Sequence, residues 1–320
     1  MRRRWRFALG VLIVIAASAA AVVLADPIDS GHDKTSRAVA ATAGLPTPVT
    51  DDPGIRPPVH NRFTVRPAAG PPVVHVRLKP PPRAGILFDV RSGQVLWQLH
   101  PRRQLPIASL TKMLTALIVA ERHRLSERVL ITPRVLRYAG SGVGVLPRGK
   151  RVKLGALLDG LLMVSGNDAA IALAQHDART VGGFVRRMNL RAQQLGLTCS
   201  RFSTPSGIKD QGNHSCAADL ATLARLDLAN PVVRKIVGTR RVRMRFPVKG
   251  GYLDLFNINP FIRDPGVTGV KTGLTNAAGR CYVVTAHLRG SYLGVVLLHT
   301  PDPFKQVPQL LRAGARAEAG

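Results

Sequence analysis

The sequence predicts an α+β fold, an antiparallel sheet flanked by a helical cluster, and three observations predict it. Two β-type runs open the folded region, helical periodicity fills the middle, and strand patterns return towards the C-terminal end. That order implies that the first and last strands share one sheet. Residues 85–90 and 94–99 are separated by Arg91-Ser92-Gly93, a connection of hairpin length with a glycine. From Ser109 onward, Leu110, Met113, Leu114, Leu117 and Ile118 keep helical spacing and predict a buried helix, with Pro106 defining its start. Residues 154–163 and 169–176 read as helices broken at Ser165-Gly166-Asn167. Residues 183–195 form a further helix closing at Gly196, and 217–228 another. Strands are predicted over 270–273, 281–288 and 292–298, the last two joined by Arg289-Gly290-Ser291, and a short helix over 308–319 lies against the sheet. The run Arg240-Arg241-Val242-Arg243-Met244-Arg245 alternates at strand period and reads as one solvated face, suited to an anionic glycan.

A chain of 320 residues allows one large catalytic domain with appendages. Apolar residues make up 45%, enough for a core, while only 5% are aromatic, which argues against a base- or sugar-stacking surface. Lys plus Arg number 46 against 18 Asp plus Glu, and the resulting +28 predicts attraction to a polyanion. The N-terminus selects among polyanions. Met1 to Arg6 holds four arginines and is followed by nineteen uncharged residues, 7–25, the pattern of an export signal or of an N-terminal membrane anchor. Its arginines belong on the cytoplasmic side, which puts the remainder outside. An anionic cell envelope is therefore the expected partner, and nucleic acid is not. Residues 26–83, with Pro67, Pro71, Pro72, Pro80, Pro81 and Pro82, read as a Pro-rich linker, although a short strand over 73–78 fits as well. The catalytic domain is expected over 84–320.

Three cysteines are too few for a disulfide scaffold and show no metal-ligand spacing, so neither a metal nor a cofactor is expected. Cys199 and Cys216, 17 apart, could pair or stay free; their spacing does not decide. Cys281 falls on a predicted core strand and reads as a small buried hydrophobe. The scattered His176, His214, His287 and His299 suggest a Ser-His-Asp triad only weakly, since no Gly-x-Ser-x-Gly elbow exists.

The chemistry concentrates in three ordered elements. Ser109-Leu110-Thr111-Lys112 places a hydroxyl and an amine three positions apart, hence on one helix face. A serine hydroxyl becomes a useful nucleophile when an adjacent base takes its proton, and burial beside a second cation makes a lysine such a base. Alone, the pair fits equally well a helix cap beside a solvated lysine. It is followed, however, by Ser165-Gly166-Asn167 and, at the head of a predicted strand, by Lys271-Thr272-Gly273.

With the surrounding words at 106–117, 164–170 and 266–273, and with Met188-Asn189, Leu195-Gly196-Leu197, Thr204-Pro205-Ser206-Gly207 and Ala278-Gly279-Arg280-Cys281, the sequence closely resembles the low-molecular-weight penicillin-binding proteins, the serine D-alanyl-D-alanine carboxypeptidases. The likeness runs from about Ala84 to Ala313. It implies a DD-peptidase/β-lactamase-like fold, the peptidoglycan stem peptide as substrate and β-lactams as covalent inhibitors. It further implies that Ser109 is acylated, that Lys112 activates it, that Ser165 relays a proton to the departing D-alanine and that Asn167 holds the peptide amide. Lys271 would keep Lys112 and Ser165 poised, Thr272 would bind the terminal carboxylate, and the N–H groups of Ser109 and Leu274 would form the oxyanion hole, with Gly273 opening the strand edge to substrate. The chain departs from the pattern at Pro260-Phe261, after Asn257-Ile258-Asn259, and at Arg148.

A β-lactamase that clears its acyl-enzyme through a glutamate-activated water is disfavoured, because no glutamate occurs between Asn167 and Lys271. The expected activity is removal of the terminal D-alanine from stem pentapeptides. A DD-endopeptidase acting on crosslinks and a non-catalytic wall-binding protein are the alternatives.

Overall fold

The computed structural model describes residues 61–319. The opening hairpin is formed by β1 (Ala84–Asp89) and β2 (Val95–Leu99). A two-residue strand, β3 (Leu105–Pro106), leads into a 3-10 turn (Ala108–Thr111) and then helix α1 (Lys112–Arg122). Strands β4 (Arg128–Leu130) and β5 (Arg151–Lys153) pair with each other and precede α2 (Leu154–Met163), α3 (Asn167–Ala178) and α4 (Val181–Gln194). Next come β6 (His214–Ser215), α5 (Ala217–Ala229), α6 (Pro231–Val237), and the hairpin of β7 (Arg241–Arg245) with β8 (Tyr252–Phe256). The chain ends in β9 (Val267–Thr275), β10 (Gly279–Leu288), β11 (Ser291–Leu298) and α7 (Pro303–Ala317).

The main sheet runs β2-β1-β11-β10-β9 and is antiparallel throughout, so the N-terminal hairpin joins the C-terminal strands through β1 and β11, as the element order implied. Alternation along each strand sorts side chains between two layers. Ile86, Phe88, Val283 and Val296 face the core shared with α1, α2 and α5, whereas Leu87, Val284, Leu293 and Val295 pack with Val307, Leu310 and Leu311 of α7. Helix α5 is buried from Ala217 to Leu228, as its apolar circumference requires. In β7 the arginines at 241, 243 and 245 lie exposed, while Val242 and Met244 turn towards the core, the one-faced solvation that the alternation predicted.

Three details differ from expectation. Residues 61–83 contain no strand, and they are packed on the fold and not held off it as a spacer: Val65, Val74 and Leu78 are buried, and the Val65 N–H donates to Thr222 Oγ1 at 2.9 Å. The proline spacing hid these apolar anchors. The first turn of the Ser109 helix is 3-10, because Thr111 Oγ1 donates to the Ala108 carbonyl at 2.9 Å and Ala108 itself has φ of 48°. The last helix begins at Pro303, where Asp302 accepts from the Lys305 N–H at 3.1 Å, and Pro308 falls inside it. The segment 1–25, with its export or anchor reading, and residues 26–60 lie outside the described residues, among which no helix is long and apolar enough to cross a membrane.

Cys199 and Cys216 form a disulfide with a Cα–Cα separation of 5.6 Å, and Asp219 beside it accepts from the Cys199 N–H at 2.7 Å. Cys281 is free and buried, and burial pushes its thiol up to about 12. Thiol titration should therefore find no fast-reacting group in the native protein, one after denaturation and three after denaturation with reduction. A fast native thiol would contradict the pairing. Closing a loop of this length contributes about 3 kcal/mol, so Cys199→Ala with Cys216→Ala should shift the denaturation midpoint accordingly.

Candidate active site

Ser109 is placed by its turn at the seam between α1, the α2–α3 junction and β9. Lys112, the first residue of α1, is fully buried. Its Nζ donates to Ser109 Oγ at 2.9 Å, to Asn167 Oδ1 at 2.7 Å and to the Ser206 carbonyl at 2.7 Å. Burial, reinforced by the positive charge of Lys271, holds the Lys112 pKa well below that of a solvated lysine, and Asp168 opposes the shift. The neutral amine, which a proton acceptor must be, is thus reached at lower pH than in a solvated lysine.

The Ser165-Gly166-Asn167 junction is held from outside by the chain over 139–144. Ser141 Oγ donates to the Ser165 carbonyl at 2.9 Å, the Asn167 N–H donates to the Ser141 carbonyl at 2.8 Å, and Asn167 Nδ2 donates to the Ala139 carbonyl at 2.6 Å. The buried Asp168 carboxylate accepts the N–H groups of Val143 and Gly144 at 2.9 and 3.0 Å. Ser165 takes φ of 59°, a left-handed conformation costing about 1–3 kcal/mol in a residue with a Cβ. Among the described residues its buried Oγ has no hydrogen-bond partner, so its hydrogen-bonding capacity is unused within the protein.

The sheet edge supplies the third wall. Lys271, also buried, donates to the Thr272 carbonyl at 2.9 Å, and burial lowers its pKa to about 7. A Cβ built on Gly273 would stand 2.9 Å from the Ile107 carbonyl oxygen and 3.0 Å from the Ser109 nitrogen, so only glycine lets β9 lie this close to the Ser109 turn. Thr272 is half-buried, and the Leu274 side chain is 70% exposed.

The structure thus brings Ser109, Lys112 and Asn167 into direct contact, sets Lys271 within electrostatic reach of Lys112, and lays Gly273 against the Ser109 turn. Asn167 makes both of its side-chain bonds within the protein; its oxygen retains a lone pair and its nitrogen a second hydrogen for a further partner. Sequence reading gave no role to Ser206, Asp168, Gly207 or Asn213. The word containing Ser206 and Gly207 was the signal for those two; Asn213, which donates to Thr111 Oγ1 at 2.7 Å, had none. The histidines lie elsewhere: His287 stacks on Tyr292 with ring centroids 3.9 Å apart, and His176 bonds Glu127.

The sequence profile of a family described as D-alanyl-D-alanine carboxypeptidase matches residues 80–301. Among curated proteins, the carboxypeptidase DacB2 of Mycobacterium tuberculosis is 36% identical over 225 residues, spanning 68% of this chain and 75% of that one. The carboxypeptidase DacF of Bacillus subtilis is 31% identical over 210 residues, and the match spans 64% of this chain but only 54% of the relative's length. A D-alanyl-D-alanine endopeptidase of Pseudomonas aeruginosa is 30% identical over 240 residues, covering 70% of this chain and 76% of that protein. A solved D-alanyl-D-alanine carboxypeptidase of Mycobacterium tuberculosis superposes with a TM-score of 0.70 at 31% identity, covering 80% of this chain and 96% of the other. With a profile spanning most of the chain and an α+β fold shared with solved members, this protein belongs to the D-alanyl-D-alanine carboxypeptidase family.

Proposed function

We propose that this chain is an exported serine DD-carboxypeptidase that removes the terminal D-alanine from peptidoglycan stem pentapeptides. The observation that carries the proposal is the buried Lys112 amine, 2.9 Å from Ser109 Oγ and depressed in pKa by its surroundings. Neutral Lys112 takes the Ser109 proton as Oγ attacks the carbonyl carbon of the penultimate D-alanine. The oxyanion forms against the N–H groups of Ser109 and Leu274. The C–N bond then breaks, the departing amine receives a proton through Ser165, and the peptide remains as an ester on Ser109. Water, activated by Lys112, hydrolyses that ester and regenerates the hydroxyl. Asn167 holds Lys112 in place and offers its remaining amide hydrogen to the substrate, while Lys271 and Thr272 take the terminal carboxylate. Gly273 keeps the β9 edge open for an extended peptide.

A β-lactam places its carbonyl on the same path and leaves Ser109 acylated. Incubation with a fluorescent penicillin should label the protein covalently, and Ser109→Ala should abolish the label; an unlabelled parent protein would refute the enzymatic reading and leave the wall-binding alternative. The relatives include an endopeptidase, and that activity would use the same acyl-enzyme. Release of free D-alanine from pentapeptide, measured beside cleavage of crosslinked dimers, separates the two. Family membership directs the enzyme to wall substrate outside the cytoplasm. The arginine-led apolar stretch over 7–25 would export it or tether it, and the +28 charge would favour the anionic envelope.

A further inference from the structure

Away from the Ser109 cleft, the end of α1 and the end of α3 are joined by a cluster that the proposed chemistry does not use. Glu127 Oε2 lies 3.0 Å from His123 Nδ1 and 2.8 Å from His176 Nε2. The other carboxylate oxygen, Oε1, accepts the Arg124 N–H at 2.7 Å, which aims Oε2 at the two rings. His123 Nε2 in turn lies 3.0 Å from Oδ1 of Asp177, whose side chain is fully buried and is also held by Arg122 and Arg187.

With His123 neutral, this arrangement is one hydrogen short. A neutral imidazole has one N–H, yet His123 faces a carboxylate oxygen through each nitrogen. If Nε2 donates to Asp177, Nδ1 presents a lone pair to Glu127 Oε2, two acceptors 3.0 Å apart. A doubly protonated ring would supply the missing hydrogen, and a cation bound by both groups would remove the conflict without it. The three ligand atoms, His123 Nδ1, Glu127 Oε2 and His176 Nε2, all lie within 4.8 Å of one another; two bonds of ~2.0–2.2 Å span at most ~4.4 Å, so binding one ion needs only a small adjustment of these part-exposed side chains. Asp177 completes the pattern in which a carboxylate fixes the tautomer of a ligating histidine from behind.

We propose that His123, Glu127 and His176 form a structural site for a zinc-class divalent ion. Two imidazole nitrogens favour zinc and its neighbours over magnesium or calcium, which prefer oxygen ligands. The fourth position faces outward, since the side chains of His123, His176 and Glu127 remain 16%, 23% and 35% exposed, and water can fill it. The ion would pin the loop after α1 to α3, the helix whose first residues are Asn167 and Asp168. The sequence concealed the site because His176 is 49 residues from Glu127.

Tag-free full-length protein, stripped with chelator and dialysed, should bind one equivalent of zinc against a chromogenic competitor, and zinc should raise its melting temperature. Glu127→Gln and His176→Gln should each abolish saturable binding and the thermal shift while leaving penicillin acylation of Ser109 intact. Asp177→Asn should weaken binding ~10–100-fold. Cobalt loading should give the visible absorption of a low-symmetry site. Absence of saturable binding by the parent protein, or equal binding by parent and Glu127→Gln, would overturn the site. Acylation is read separately, so its failure bears on the enzymatic proposal alone.

Discussion

In Lys112→Met, acylation by a penicillin should slow by ~10²–10⁴, the usual worth of a positioned general base. Methionine is unbranched and apolar, so it can occupy the buried space without stranding a charge. It leaves Asn167 Oδ1 and the Ser206 carbonyl without the donors now 2.7 Å away. Each orphaned acceptor costs about 1–3 kcal/mol, so the variant should also be less stable, which denaturant titration would register. The pH profile separates the two effects. In the parent protein the acylation rate should rise with pH as Lys112 loses its proton, and it should level off below the range of a solvated lysine because burial and Lys271 depress the pKa. Lys112→Met should lose that acid limb. In Lys271→Met the neighbouring cation is gone, Lys112 holds its proton more tightly, and the limb should move to higher pH. Its midpoint is the readout, since loss of carboxylate binding changes the height independently. An unchanged limb in Lys112→Met would assign the base to another group.

The parts legible in the sequence were those encoded in local pattern. Helix α2 shows at 154–163 because its apolar residues repeat at helical spacing, and β10 and β11 because a short glycine turn separates two apolar runs. The nucleophile and amine were legible because i and i+3 share a face whatever the tertiary fold does. What stayed hidden depends on long-range closure. Ser206 contributes only a backbone carbonyl to Lys112, 94 positions away in sequence, and a carbonyl has no residue type to betray it. Asp168 acts by accepting two N–H groups of a loop 24 and 25 positions earlier. Residues 61–83 looked like a spacer because proline excludes helix and central strand, yet isolated valines and a leucine suffice to anchor an irregular segment on an existing core. The strained φ at Ala108 and at Ser165 had no sequence signature, because neither position carries glycine.

Gly207→Ala should be the most damaging small substitution near the site. Gly207 has φ of 76°, and a Cβ there would stand 1.9 Å from the Ala108 carbonyl oxygen and 2.6 Å from Thr111 Oγ1. The first of these atoms is backbone and cannot rotate away. Ala108 directly precedes Ser109, so relief of the clash must displace the nucleophile. Left-handed backbone costs an alanine about 1–2 kcal/mol and overpacking about 1–3 kcal/mol more, so a loss of about 2–5 kcal/mol is expected by denaturant titration. Misplacing a reacting atom by ~1 Å can cost ~10²-fold, and acylation should fall by at least that factor in the fraction that remains folded. Gly196→Ala provides the comparison, because Gly196 has φ of 71° and nothing within 4 Å of its Cβ position. It should lose only the backbone part, about 1–2 kcal/mol, with acylation unchanged. Equal losses in the two variants would mean that the contact between Gly207 and the Ala108 carbonyl does not hold Ser109 in place.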